Sequence, residues 1–330
     1  MTIDRRNVLQ GMLLAGAMGK ASIGRSGTAE LREKLPDRFA HLPPQSSQGE
    51  AVAVYAMTAL GLSRLAAATT RCQLDVAYGS DPAQKLDIYL PEQKGRTGLP
   101  VFCNIHGGGW THGYKEWMGL NAPPIVAFPA IYVSIGYRLA PVSKHPAQLD
   151  DTFKALAWVH GQIARFGGDP ERLYVGGHSA GAHLSSLITL RTDLYARYGL
   201  PAGIVKACFA YNGVYDLRNV EIYGETANPG EPLLPGANSA SDASPIVFVS
   251  GNRTPFFVTW AENDNLLIKA ESSAFAAALG QQPGRVEAHM FPDFDHFWSH
   301  VDQQRSENPW TRTLRSWMIG DPSTAPVFTS

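Results

Sequence analysis

Cysteine is scarce. The 330 residues hold three, Cys72, Cys103 and Cys208, too few and too irregularly spaced for a disulfide framework or a thiolate metal site. Cys103 and Cys208 fall in apolar runs and read as core residues, while Cys72 stands just before the first expected strand. Charge of either sign is not in excess: 28 Lys and Arg face 29 Asp and Glu, a net charge of −1. That balance gives no electrostatic ground for binding nucleic acid or an anionic membrane. The ten histidines form no H-E-x-x-H or comparable ligand pair, so no metal or other cofactor is expected. Internal repeats and low-complexity tracts are absent, and no apolar stretch reads as long enough to cross a bilayer. What remains is a chain with 44% hydrophobic residues, enough to bury one large core in a single domain.

Glycine, by contrast, is plentiful, and two clusters carry chemistry. In Gly177-His178-Ser179-Ala180-Gly181 the serine lies between the apolar run Leu173-Tyr174-Val175 and a helical pattern in which Ala182, Leu184, Leu187 and Ile188 can share a face. A serine on such a strand-to-helix turn has its hydroxyl exposed at the helix N-terminus, and the flanking glycines are needed where a Cβ would strike neighbouring backbone. The positive end of the helix dipole there favours negative charge on an attacked carbonyl oxygen. The second cluster, His106-Gly107-Gly108-Gly109-Trp110, follows the strand-like run Val101-Phe102-Cys103-Asn104-Ile105. Glycines leave room for a substrate and can aim N–H groups at one oxygen, so Gly108 and Gly109, with Ala180, are the expected oxyanion donors.

A serine nucleophile needs a base, and the base an orienting acid. After Ser179 the chain supplies Phe256 to Ala261, an apolar run leading to Glu262 and Asp264, and then His296 after another strand. The order serine, acid, histidine selects Asp264 as acid and His296 as base. Glu262 is the alternative acid, though it lies nearer the strand, and His300 the poorer base, because it falls in or beside the next helix. His106 and His183 read as residues that fix local loops by hydrogen bonds.

These residues resemble a known clan. Gly136-Tyr137-Arg138-Leu139-Ala140-Pro141, followed by His145-Pro146 and Asp150, is similar to a signature of the hormone-sensitive-lipase-like and kynurenine-formamidase-like α/β-hydrolases. Leu86-Asp87-Ile88-Tyr89-Leu90-Pro91 and the stretch Gly177 to Leu184 look more like the formamidase and small feruloyl or acetyl esterase branch, since the lipase-like branch usually carries Asp where this chain has His178 and Gly where it has Ala182. The resemblance spans about residues 75 to 319. It implies an α/β-hydrolase fold: a mostly parallel eight-stranded sheet with helices on both faces and a lid or cap. The implied activity is hydrolysis of a small or aromatic carboxylic ester through an acyl-enzyme, with a small-molecule ester or amide as substrate. Hydrolysis of an N-formylkynurenine-type formamide by the same triad is the alternative, and a catalytically silent binding module on the same scaffold a third reading. Pairing with a second copy stays open.

Along the chain, Arg5-Arg6 followed by Val8-Leu9 and the weakly apolar 11–19 has the form of a twin-arginine export peptide over residues 1–21, which implies a periplasmic or secreted enzyme; the alternative is a cytoplasmic one. Residues 22–49 read as a linker or loose arm, 50–320 as the catalytic domain, and 321–330 as a tail. A helix is expected over 50–68 with Val54, Met57, Leu60 or Gly61, and Leu65 on one face. Strands are expected near 73–78, 85–90, 100–105, 130–137, 172–177, 205–211, 255–261 and 285–291. The Gly-, Pro-, Ser- and Asn-rich stretch 215–251 is too long for a plain connection and reads as a lid or substrate wall. Trp110, Tyr211, Tyr215, Phe294 and Trp298, with Tyr223, are the expected pocket lining.

Overall fold

The structure, a computed structural model, describes residues 39–43, 45, 49–218, 233–236 and 239–320. The chain divides after Leu42, and the fold is that of the unit from Pro43 onward. The proposed export peptide, the tail, Tyr223 and much of the 215–251 insert lie outside the described residues.

Eight strands form one sheet in the order β1-β2-β4-β3-β5-β6-β7-β8, made of β1 (Arg71–Ala77), β2 (Lys85–Leu90), β3 (Leu99–Ile105), β4 (Ile131–Ile135), β5 (Gly168–His178), β6 (Val205–Tyr211), β7 (Phe256–Ala261) and β8 (Val286–Phe291). The pairs β1/β2 and β2/β4 run antiparallel, and every other pair is parallel. Every residue of β3 and β4 is buried, as expected of central strands covered on both faces, whose sequences are mostly apolar; the polar Asn104 and Ser134 bond inside, to the Tyr132 hydroxyl and the Lys115 carbonyl. At the edges the pattern changes: β1 carries a register shift between Gln73 and Val76, and both β1 and β8 leave alternate residues open. These strands are the eight expected ones, although β5 starts earlier, at Gly168, and β4 stops at Ile135.

The helices are α1 (Glu50–Thr69), α2 (Ala122–Ala127), α3 (Ala147–Gln162), α4 (Ala180–Leu190), α5 (Leu266–Gly280), α6 (Trp298–Val301) and α7 (Pro309–Ile319). Local chemistry explains their ends. Asn308 caps α7 by accepting the Trp310 N–H at 2.9 Å, with Pro309 in the first turn, and Gly320 closes it at φ 69°. After α3, Gly167 turns the chain at φ 91° into β5. Every residue of α4 is buried, its polar members included, with Ser185 donating to the Ala182 carbonyl at 3.0 Å and Thr189 to the Ser185 carbonyl at 2.7 Å.

Helix α1 corrects two expectations. Its inward face is Tyr55, Ala59, Ser63, Ala66 and Ala67, whereas Met57 is 68% and Leu65 51% exposed. The helix comes so near the turn at Gly119 that a Cβ there would lie 3.0 Å from the Ser63 Cβ, a separation that admits small residues and turns the larger apolar ones outward. With 20 residues, α1 is also long and apolar enough to cross a membrane by length and composition, contrary to the reading that no such stretch exists. Its apolarity comes largely from alanines, which carry little bulk to pack.

Candidate active site

Ser179 occupies the turn between β5 and α4 at φ 56°, ψ −118°, a left-handed conformation that costs about 1–3 kcal/mol for a residue with a Cβ. The surroundings enforce it. A Cβ on Gly177 would lie 2.4 Å from the Gly181 backbone, and one on Gly181 would lie 2.0 Å from the Ile105 carbonyl oxygen, so both glycines are required by the close approach of β3. The Ser179 N–H donates to the Tyr211 carbonyl at 3.0 Å, pinning the turn to β6. Ala180 opens α4, and its N–H, in the first turn, has no intrahelical acceptor.

The loop after β3 lies against this turn: a Cβ on Gly107 would be 3.1 Å from the Ser179 Cβ. Gly108 (φ 115°) and Gly109 (φ 58°) are both left-handed, and the Gly108 carbonyl closes a turn by accepting the N–H groups of Thr111 and His112. Among the described residues, no main-chain acceptor takes the Gly108 or Gly109 N–H. His106 holds the loop from beneath by donating from Nδ1 to the Gly107 carbonyl at 2.8 Å and stacking on Tyr137. Burial lowers its pKa to about 4, so the ring is neutral.

Asp264 and His296 meet as the chain order requires. The His296 Nδ1 donates to the Asp264 Oδ2 at 2.8 Å, and that carboxylate is fully shielded from solvent. A neutral imidazole that gives Nδ1–H keeps a lone pair on Nε2, the form a general base needs. The alternatives are otherwise engaged. Glu262 accepts the Asp293 N–H at 3.0 Å, so it braces the loop before His296. His300 is buried, with Nδ1 on the Tyr55 hydroxyl at 2.9 Å and Nε2 on the Asn121 Oδ1 at 2.7 Å, and burial lowers its pKa to about 3.

Of the expected pocket aromatics, three belong to the core. Trp110 is buried with its indole N–H donated to the His183 Nδ1 at 3.1 Å. Tyr211 ends β6 with its hydroxyl on Asn104 and its ring on Trp310. Tyr215 stacks on Phe275 with centroids 4.1 Å apart. All three are 2% exposed or less, so their rings present no open face to a substrate. Phe294 and Trp298 are half-buried and remain candidates.

Sequence reasoning missed two contributors. Tyr55 of α1 reaches into the histidine cluster, stacking on Phe297, and Asn212, at φ 54°, donates to the His296 carbonyl. Strain marks this region. Of the five non-glycine residues with positive φ among those described, Trp110, Ser179, Asn212 and Asp293 are in or beside the site, and only Asp75 is not. The cysteines are all free thiols, two of them buried.

A mostly parallel eight-stranded sheet with its serine on the turn after the fifth strand defines an α/β-hydrolase. Structural likeness agrees: a hyperthermophilic esterase from Pyrobaculum calidifontis superposes with TM-score 0.66 at 23% identity, covering 82% of this chain and 93% of its own. The metagenomic carboxylesterase EstE1 gives 0.65 at 23%, covering 83% and 99%. A family model described as BD-FAE matches residues 86–279, more than half of the chain, and the protein belongs to that family. Esterase LipQ of Mycobacterium tuberculosis is 36% identical over 220 residues, 62% of this chain and 52% of its own. The chain thus spans about half the length of that relative. Kynurenine formamidase of Danio rerio is 29% identical over 282 residues, 84% of this chain and 92% of its own; that of Salmo salar is 32% identical over 230, 68% and 74%.

Proposed function

We propose that the chain is a serine hydrolase of carboxylic esters. Ser179 attacks the ester carbonyl as His296 takes its proton, Asp264 holds the imidazolium, and the N–H groups of Gly108, Gly109 and Ala180 bind the oxyanion; the C–O bond then breaks as His296 returns the proton to the departing alcohol, and water releases the acyl group from Ser179 with His296 again as base. Each oxyanion donor is worth about a hundredfold or more in rate. The observation that carries the reading is the 2.8 Å bond from His296 to a solvent-shielded Asp264 beside a strained serine turn. The esterase names among its relatives favour esters over other acyl substrates.

The second reading, hydrolysis of an aryl formamide, is favoured by the nearly full-length match to the Danio rerio formamidase. It differs in the leaving group and in the size of the acyl pocket. Steady-state turnover of p-nitrophenyl acetate, butyrate and octanoate beside N-formylkynurenine separates the two, with Ser179→Ala as control. Serine-dependent kcat/KM that is highest for an ester supports the first reading; a formamide value above every ester replaces it with the second. Export through Arg5-Arg6 is a separate proposal: replacing both by Lys should trap the protein in the cytoplasm, and unchanged fractionation refutes it.

A further inference from the structure

The residue immediately before the nucleophile has no part in the reaction as written, yet its side chain reaches the base. His178 ends β5, is 2% exposed, and places Nε2 at 2.8 Å from the main-chain oxygen of His296. A carbonyl oxygen only accepts, so Nε2 carries the proton. Burial, reinforced by His296 and His300, holds the ring's basicity far below that of an ordinary histidine, which makes Nδ1 a bare lone pair. That nitrogen is buried and without a partner among the described residues. An unpaired buried acceptor is unfavourable, and the bond to His296 is what this orientation gains.

Two more donors converge on the same oxygen: the Asn212 Nδ2 at 3.0 Å and the Ser299 hydroxyl at 3.2 Å. Asn212 is itself set by its N–H bond to the Thr259 carbonyl at 2.8 Å, at the end of β6, in a left-handed conformation. The carbonyl of the base is therefore held from the rigid ends of two central strands.

We propose that His178 and Asn212 are positioning residues that clamp the main-chain carbonyl of His296 and so fix the distance between base and nucleophile. The proposal rests on the triad assignment. Its physical content is the shortness of the path: the His178 side chain touches His296, and one peptide bond away is Ser179. The bond from Nδ1 to Asp264 fixes one edge of the imidazole, and the clamp fixes the backbone from which the ring projects. An error of about 1 Å in such a placement costs on the order of a hundredfold in rate. Neutrality of His178 matters as well. Its ring centroid is 4.7 Å from that of His296 and 5.2 Å from that of His300, with Tyr55 and Tyr211 as the other titratable neighbours. A charge on His178 would oppose the imidazolium that forms on His296.

A matched pair of variants tests this. The amide nitrogen of a glutamine reaches about as far along the side chain as the imidazole Nε2, whereas that of an asparagine reaches only as far as Nδ1. His178→Gln should keep kcat for p-nitrophenyl butyrate within about threefold of the unaltered enzyme, while His178→Asn and Asn212→Ala should lower it by about 30-fold or more at nearly constant KM. The low-field proton resonance of the His296–Asp264 bond supplies a readout that needs no substrate: it should persist in His178→Gln and broaden or move in His178→Asn. Equal kcat in the Gln and Asn variants, with the resonance unchanged in both, would overturn the proposal. If the unaltered enzyme hydrolyses no ester, the ester reading fails, and the resonance still decides whether His178 positions His296.

Discussion

The indole N–H of Trp110 donates to the Nδ1 of His183 across 3.1 Å, joining the residue that follows the proposed oxyanion glycines to the fourth residue of α4. His183 passes the connection on, since its Nε2 donates to the Ala243 carbonyl. Replacing Trp110 by Phe strands a buried acceptor and should cost about 1–3 kcal/mol of stability. With the loop less firmly held, kcat should fall by about tenfold, a part of what a lost oxyanion donor costs. Urea unfolding together with ester kinetics measures both; an unaltered kcat would mean that the glycines hold their place without Trp110.

Asp264→Asn should lower kcat by about four orders of magnitude, because the amide favours the wrong imidazole tautomer. Glu262→Gln should leave kcat within about twofold, as Glu262 acts on the loop through the Asp293 N–H. A larger loss from the second substitution than from the first would move the acid to Glu262.

Stability should fall on mild acidification. His106, His183 and His300 are buried neutral, with pKa values lowered by burial to about 4, 3 and 3, against about 6.5 when unfolded. Between those limits the unfolded chain binds more protons, so their contribution is complete above about pH 6.5 and is lost as the pH falls toward 3. Each adds up to about 1.4 kcal/mol per pH unit to the slope. Asp87 runs the other way, because burial holds its carboxyl above its usual range despite the ammonium of Lys115 beside it. Denaturant midpoints at pH 7, 6 and 5 should decline steadily, and the decline should be shallower in His183→Gln. A flat profile would show that these histidines are not buried neutral.

Gly181→Ala should abolish the soluble, active enzyme, since the new methyl would meet the Ile105 carbonyl at 2.0 Å and both sides of that contact are backbone. Gly161→Ala, where nothing lies within 4 Å of an added Cβ, should stabilise α3 by up to about 1 kcal/mol. Thermal melts of the two variants check the contrast.

What the sequence discloses follows from what each residue contacts. Strands β3 to β7 are legible because a central strand covered on both faces is mostly apolar along its length, and the pairing of Asp264 with His296 because both follow the ends of neighbouring strands, β7 and β8. The inward face of α1 is not legible: hydrophobicity ranks Met57 and Leu65 above Ser63 and Ala66, but the nearness of Gly119 rewards small volume instead. Trp110, Tyr211 and Tyr215 misled for a related reason. Whether a polar-tipped ring ends in core or pocket depends on whether a distant residue meets its tip or face, as His183, Asn104 and Phe275 do. His178 is the least legible of all, because its partner is a main-chain oxygen 118 positions away, and main-chain atoms leave no trace in residue identity.

Because α4 is enclosed along its whole length, the mount of the nucleophile has no free surface on which a neutral change could accumulate. Nearly every substitution there is answered by a strand, a loop or the turn itself. Variation in what the chain accepts is therefore left to pieces outside that helix, such as the half-open α1, whose Tyr55 ring lies 5.9 Å from that of His178. One part of the molecule keeps the reaction constant while another is at liberty to change the substrate.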